Sequence, residues 1–295
     1  MKSVNNWHFL TFGAGSWTYR RSARRLTLEA QKFQLFGTCD FETEHTLSKK
    51  YPGFFMENEE ILKPEIQGFG YWIWKPFLIL EHLKNMKSTD GLMYLDSGST
   101  LNLNAASRNR LKEYLNIAEN KNSLLFRIAK NDTDVNFAEE NWTSSDLLDK
   151  LNLNELDRKS SQTAGGVIFL LSNENNIALI ENWLELCKED NYRFLKPNKK
   201  TYIVANNAYS VIHRHDQSIL SCLQKKSGLY SIWNEIDFAP NWQTEGSLFP
   251  IWTNRNRTGI SDQKHSINDF PDRIAKKYFF LKHQLKIGIK FLLRK

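Results

Sequence analysis

Residues 68–104 hold the feature that most restricts the fold of this chain. An aromatic segment, Tyr71-Trp72-Ile73-Trp74-Lys75-Pro76, leads into a helix-forming stretch ending near Met86. An Asp90-Gly91 turn follows, and then the run Leu92–Leu95, which stops at Asp96-Ser97-Gly98. An unbroken apolar run without alternation is what a strand covered on both faces requires. A carboxylate at the C-terminal end of such a strand stands where open α/β sheets bind ligands. The unit therefore excludes a one-sided sheet and points to a layered α/β fold.

The rest of the chain repeats that logic. His8–Phe12 reads as a first strand ending in Gly13-Ala14-Gly15-Ser16, and Ser22–Phe36 as a helix with Leu26, Ala30 and Phe33 on one side. Gly37–Thr46 reads as a strand, Phe54–Gln67 as irregular, and Pro76–Met86 as a helix with proline in its first turn. Helices are expected over Asn104–Glu119, Thr143–Leu151, Asn173–Cys187 and Asp216–Gln224, and strands over Ser123–Ala129 and Thr163–Leu171. Beyond Tyr230 the chain reads as aromatic loop until a terminal helix. Alternating strands and helices predict a mixed, mostly parallel sheet flanked by helices, with right-handed crossovers.

With 295 residues and 41% hydrophobic content, there is ample material for a core. No apolar run approaches the length of a membrane span, and the opening residues carry no signal-peptide core. Cys39, Cys187 and Cys222 are far apart, which suits a reducing cytoplasm. The net charge of +7 favours anionic partners. Arg20, Arg21, Arg24 and Arg25 gather near the start. In the acid-free stretch 278–295, Lys282, Lys286, Lys290 and Arg294 recur every fourth residue beside Leu281, Leu285 and Ile289. That pattern predicts a basic amphipathic helix drawn to an anionic membrane surface; a docked terminal helix with a solvated basic face explains the same residues.

Several clusters can carry chemistry. Backbone N–H groups at Gly13-Ala14-Gly15, before an arginine-rich helix, suit a phosphate, though an ordinary strand-to-helix turn has the same composition. Trp72 and Trp74 are core residues or a stacking wall. Lys75, held extended by the following proline, is expected to offer its ammonium to a diphosphate or to solvent. Asp96, with Ser97 and Gly98, can hold a ribose hydroxyl or a divalent cation, or cap the next turn. Gly165-Gly166 opens a strand without side chains, which makes room for a ligand or marks a bulge. His213-Arg214-His215-Asp216-Gln217 sets two imidazoles, an acid and an amide at a helix start, where hydroxyl groups can be oriented and a proton accepted.

In this order, GFGYWIWKPFLIL, DGLMYLDSGSTLN, WTSSDLLDKL, TAGGVIFLLSN and RHDQSILSCL resemble bacterial polysaccharide (lipopolysaccharide or capsule) glycosyltransferases of the GT-A, nucleotide-diphospho-sugar type, from Phe9 to about Arg257. The resemblance implies a GT-A-like catalytic domain over 1–260, with a donor half to about 130 and an acceptor half from about 131. Residues 261–295 then form a basic tail, placing the protein in the cytoplasm or on the inner membrane face. It implies transfer of a sugar from a nucleoside diphosphate, UDP-hexose above all, to a surface polysaccharide or glycolipid.

Under that reading Thr11, Phe12, Gly13, Gly15, Tyr19 and Trp72 border the donor, with Asp96, Ser97 and Gly98. Gly165, Gly166, His215, Asp216 and Gln217 line the acceptor side, and Asp96 and Asp216 are the catalytic carboxylates. Asp216 acts as base in an inverting reaction or orients the donor in a retaining one. The family's metal motif has a second acid where this chain has Gly98. A bound Mn²⁺ or Mg²⁺ then rests on Asp96, alone or with the distant His265; alternatively Lys75, Arg24, Arg255 and Arg257 meet the diphosphate charge directly. A nucleic-acid binder or a carbohydrate-binding module with Trp72, Trp74 and Trp242 as platforms would be the other readings. The clustering of the cations at two ends of the chain argues against the first, so no nucleic acid is expected as partner. The buried-strand pattern argues against the second.

Overall fold

In the computed structural model, residues 6–197, 199–204 and 207–257 are described. The strands in chain order are β1 (Trp7–Phe12), β2 (Thr38–Glu42), β3 (Gly91–Leu95), β4 (Thr100–Leu101), β5 (Ser123–Arg127), β6 (Thr163–Leu171), β7 (Lys199–Val204), β8 (Asn207–Ile212), β9 (Ser231–Ile232) and β10 (Ile251–Trp252). The longer helices are α1 (Trp17–Phe33), α2 (Trp74–Asn85), α3 (Ala105–Lys121), α4 (Glu174–Tyr192) and α5 (His215–Ser227), with shorter ones between them.

The main sheet has six strands in the order β2-β1-β3-β6-β5-β9. The pairs β1–β2, β1–β3 and β5–β9 are parallel, while β6 runs antiparallel to both its neighbours. The sheet is thus mixed and mostly parallel, as expected, but the Gly165-Gly166 strand departs from the parallel crossover pattern. The consequence is spatial: the start of β6 lies beside the end of β3, with Leu95 opposite Val167.

Side chains of successive strand residues point to opposite faces, and the two cores follow that period. Leu10, Phe12, Leu92, Tyr94, Leu125, Ile168 and Leu170 pack under α2, α4 and α5. Trp7, Phe9, Met93, Leu95, Leu124, Phe126, Val167 and Phe169 pack against α1 and α3. This double cover is why β3 carries no polar residue until Asp96.

Element ends match local chemistry. Ser16 caps α1, Asn104 caps α3 in a reciprocal capping box with Ser107, and Asn173 caps α4. The predicted strand 37–46 stops at Glu42, because Thr43 caps a short helix, Glu44–Lys50. The expected irregular stretch begins instead with a helix, Pro52–Glu57. Lys75 is not extended but the second residue of α2; proline in a first turn removes an N–H that has no helical partner anyway. Preceding it, Gly68, Phe69, Gly70, Tyr71 and Trp72 all have φ between 52° and 91°, a left-handed turn. The expected terminal helix and His265 lie outside the described residues. Among the described residues no helix is long and apolar enough to cross a membrane.

Candidate functional site

Between β1 and β3 the chain changes direction across the sheet: β2 lies on one side of β1 and β3 on the other. The two strands are parallel neighbours, so their C-terminal ends open side by side at the switch point where open α/β sheets take ligands. One lip is the turn 13–16 after β1; the other is Asp96-Ser97-Gly98 after β3.

At that edge Lys75 Nζ sits 2.8 Å from Asp216 Oδ2, 3.2 Å from Asp96 Oδ1 and 3.0 Å from the Gly165 carbonyl oxygen. The Tyr94 hydroxyl donates to Asp96 Oδ1 at 2.7 Å. The side chains of Lys75 and Asp216 are 3% and 5% exposed, that of Asp96 40%. Only Asp96 therefore presents an oxygen to the cleft, while Asp216 faces inward onto the lysine. Burial pushes the Asp216 carboxyl up to about 6, with the Lys75 charge pulling the other way. The Lys75 ammonium is held above its ordinary value, because Asp216 and Asp96 outweigh the desolvation that lowers it.

The glycine pair serves close approach. A Cβ on Gly166 would lie 2.7 Å from Asp96 Oδ2, and one on Gly165 2.9 Å from Gln217 Cβ. The Asp96 amide donates to the Gly166 carbonyl at 2.9 Å, and the Gly165 amide to Gln217 Oε1 at 3.3 Å. Trp183, fully buried on α4, donates its indole N–H to the Asp216 carbonyl at 3.0 Å, fixing the start of α5.

The loop that carries Asp96 is stapled from behind by Arg25. This buried guanidinium pairs with Glu29 at 3.0 Å and donates to the carbonyls of Ser97 (3.1 Å), Ser99 (2.6 Å) and Asn256 (3.3 Å). Glu29 in turn accepts the Leu101 amide at 3.0 Å. Antiparallel pairing of β4 with β10 brings the segment 251–257 to the same place. Arg25→Met would leave Glu29 buried without its cation, an expected loss of about 3–5 kcal/mol. Chemical denaturation measures it; a variant within about 1 kcal/mol of wild type would show that other contacts hold the loop.

A second buried network seats α5. Glu139, absent from the sequence-based candidates, accepts from Thr143 (2.5 Å), Gln162 (3.2 Å), Ser221 and Lys225 (2.5 Å). Gln162 then accepts from Gln217 at 2.6 Å. Glu139 sits just ahead of the segment 142–151, but its partners Gln162, Ser221 and Lys225 are 23 to 86 positions away, which leaves no local signal.

The structure brings together Asp96, Ser97, Gly98, Lys75, Gly165, Gly166, Asp216 and Gln217, with Arg255 beside Gly98 and Arg257 5.3 Å over the Tyr19 ring. Other candidates do not join that cluster. Thr11 and Phe12 are buried, and the Phe12 ring packs tilted against Trp74 with ring centroids 4.0 Å apart. A Cβ on Gly13 would strike the Tyr19 carbonyl, whereas Gly15, at φ 79°, needs its left-handed turn. Arg24 is exposed on α1. The Lys75 ammonium, enclosed by two carboxylates and a carbonyl, does not reach out to a phosphate. His213 donates Nε2–H to the Phe194 carbonyl and accepts the Ser144 amide; His215 donates Nδ1–H to the Leu195 carbonyl. Burial holds both imidazoles below their ordinary range, and backbone groups engage both ring nitrogens of His213 and Nδ1 of His215. His215 stacks on Tyr71 at 5.2 Å and meets Trp72 at 5.4 Å, forming a partly exposed aromatic wall.

Left-handed, non-glycine backbone gathers here: Phe69, Tyr71, Trp72, His215 and Arg255 have φ between 51° and 65°. Each is unfavourable by about 1 kcal/mol or more, a cost that concentrates at sites of function. By contrast, a polar cleft of about 540 Å³ lined by Lys121, Asn122, Asn173 and Glu174 opens at the other end of the strands, away from these groups.

No family model and no curated protein matches the chain. Among solved structures it is similar to a glycosyltransferase involved in the glycosylation of the major capsid of PBCV-1, with a TM-score of 0.46, 10% identity, and coverage of 84% of this chain and 92% of that one. It is also similar to mouse xyloside xylosyltransferase 1 in its apo form, with a TM-score of 0.43, 13% identity, and coverage of 86% and 99%.

Proposed function

We propose that this protein is a GT-A-type glycosyltransferase that moves a sugar from a nucleoside diphosphate to a glycan acceptor. One observation carries the reading: at the switch point of the sheet, a half-exposed carboxylate is held by a buried lysine–aspartate pair, opposite a strand start without side chains. Asp96 is the carboxylate that meets a donor hydroxyl. Lys75 and Asp216 are positioning residues, since both lie behind it. Tyr94 fixes the second direction of approach. The Gly165–Gly166 backbone, Gln217 and the wall of Tyr71, Trp72 and His215 border the acceptor side. In the transfer, the acceptor oxygen bonds to the anomeric carbon as the carbon–oxygen bond to the diphosphate breaks, the diphosphate leaves with the bonding electron pair, and the acceptor proton passes to it.

The finer reading is a UDP-hexose donor and a surface polysaccharide or glycolipid acceptor, with the tail on an anionic membrane. The nucleic-acid alternative loses support from the arginine cluster itself, because Arg25 is buried and Arg20 pairs with Glu44.

A panel of nucleotide sugars tests the proposal through thermal shift and release of nucleoside diphosphate. Stabilisation by one donor, with turnover when glycan is added, is expected; no response to any donor would end the reading. Within the same assay, Gly166→Ala should lose about 100-fold in turnover, since its methyl group displaces Asp96 and misplacement on the ångström scale costs that much. Unchanged turnover would remove Asp96 from the donor contact.

A further inference from the structure

The polar cleft at the far end of the strands is built where four elements terminate. α3 ends at Lys121, β5 starts at Ser123, α4 starts at Glu174 and α5 ends at Ser227, and together they enclose about 540 Å³, a size that takes a small ligand. Asn176 lines it with a side chain that is buried, the residue being 2% exposed. Its Nδ2 donates to the carbonyls of Asn122 and Leu171, both at 2.8 Å, which fixes the amide's orientation. Oδ1 then accepts no hydrogen bond among the described residues and is not wholly enclosed, so it opens to the cleft. Ser123, also buried and lining the cleft, accepts the Tyr230 amide at 3.0 Å, and its own proton has no acceptor among the described residues. A buried acceptor and a buried donor in one cleft are unfavourable until a ligand pairs them.

The lining also says what kind of ligand fits. Its charged side chains are Lys121 and Glu174, one of each sign, so there is no net charge to draw an anion. The start of α4 is closed by its own cap, since Asn173 Oδ1 accepts the Asn176 amide at 2.9 Å. What remains is amide and hydroxyl groups, which suit a ligand whose groups both donate and accept, as sugar hydroxyls do. Tyr230 adjoins the cleft, 37% exposed, with the Lys121 ammonium 5.3 Å over its ring. Such a ring can pack on the C–H face of a pyranose while its hydroxyl stays wet. From Tyr230 the chain enters β9, the edge strand, which runs parallel to β5 and hence to β3. At its other end, on the edge that holds Asp96, stands Trp233, 36% exposed with Arg127 4.5 Å over its ring. The two aromatics are about 10 Å apart along the strand and mark a line from the cleft toward the reacting edge.

We infer that this cleft is a second carbohydrate site, which holds a distal segment of an oligosaccharide whose other end reaches the Asp96 edge. The role of that oligosaccharide as acceptor rests on the transferase reading. Asn176 and Ser123 supply a preset acceptor and donor, Asn175 and Lys121 add exposed donors at the mouth, and Tyr230 is the platform. Because both buried groups are already fixed by backbone partners, little ordering is needed when the sugar arrives. Holding a chain at two places raises the effective concentration of its reacting end, so long acceptors gain over short ones.

A printed array of oligosaccharides, probed with the full chain and no nucleotide sugar, tests this without reference to turnover; the oligosaccharide retained most strongly is then titrated by calorimetry. Binding is expected, weakening about 10-fold in Tyr230→Ala and roughly 10- to 100-fold in Asn176→Ala. Asn176→Ala also removes two buried hydrogen bonds, so its melting temperature is measured alongside. Tyr230→Ala and Asn175→Ala change exposed residues and should melt as wild type does, with Asn175→Ala binding about 3- to 10-fold more weakly. Asp96→Asn should bind the same oligosaccharide as tightly as wild type, because the cleft lies at the other end of the strands. No oligosaccharide retained by wild type, retention confined to sulfated glycans, or affinity that falls in Asp96→Asn and not in Tyr230→Ala or Asn176→Ala overturns the site. If the cleft variants lose the oligosaccharide yet no nucleotide sugar is turned over, the cleft stands and the transferase reading fails. If turnover occurs and the KM for a long acceptor is unmoved by Tyr230→Ala, the transferase reading stands and the cleft fails.

Discussion

Lys75→Met is expected to lower stability by about 3–5 kcal/mol, the usual consequence of removing one partner of a buried pair. In melting temperature this is a fall of roughly 10 °C for a chain of this size. The lysine is enclosed by Asp216, Asp96 and the Gly165 carbonyl, so nothing replaces its charge. The deficit has a pH signature. Asp216 already has its carboxyl raised to about 6 by burial. An acid raised above its unfolded value contributes stability below that unfolded value and loses it as pH rises through the folded one. Without Lys75 the folded value rises further, so the deficit relative to wild type should be small below about pH 6 and grow above it. Lys75→Met combined with Asp216→Asn removes the orphaned charge and should regain part of the loss. Equal melting temperatures for wild type and Lys75→Met at pH 8 would show that the pair carries no weight in the fold.

Asp96→Asn is expected to act on the other side of the same constellation. Transfer should fall by about 100- to 1,000-fold, the usual cost of removing one charge-stabilising group at a reacting centre. Its melting temperature should stay near wild type, because Lys75 keeps Asp216 and the Asp96 side chain is partly solvated. Asp216→Asn should differ, losing stability as well as rate, since its charge is the one enclosed with the lysine. The contrast separates a group that meets substrate from one that positions it. Near-normal turnover in Asp96→Asn, measured with the donor that stabilises wild type most, would sink the mechanism.

Much of this site was legible in the chain because its parts are local. A strand with two covered faces must be apolar along its length, so the break at Asp96 is visible without coordinates. The Gly165-Gly166 start, the helix caps and the switch between periods of two and 3.6 residues are likewise local. What could not be read depends on who is opposite whom. Lys75 looked like a residue for a ligand because a lysine before proline is ordinarily extended and solvated. In the fold the helix begins at Trp74, two residues earlier than expected, and the same side chain turns inward between two acids. Asp216 looked like the reacting acid because of its place in a His-Asp-Gln segment. Its neighbours Trp183 and Lys75, 33 and 141 positions away, hold it behind Asp96 instead. The arginine cluster read as one basic patch, yet burial of Arg25 makes it the staple of the Asp96 loop while Arg24 remains in solvent.

The amino-acid sequence by itself determined the layered mixed α/β architecture, because apolar periodicity and capping residues act within a few positions of one another. It also determined that the end of β3 is chemically special. Only the tertiary structure decided that β6 runs antiparallel, that Asp96 and not Asp216 faces the cleft, and that Lys75 lies enclosed between the two acids. Those outcomes depend on burial and on charges brought together from distant segments, and electrostatic energy follows distance in space, which the order of residues does not specify.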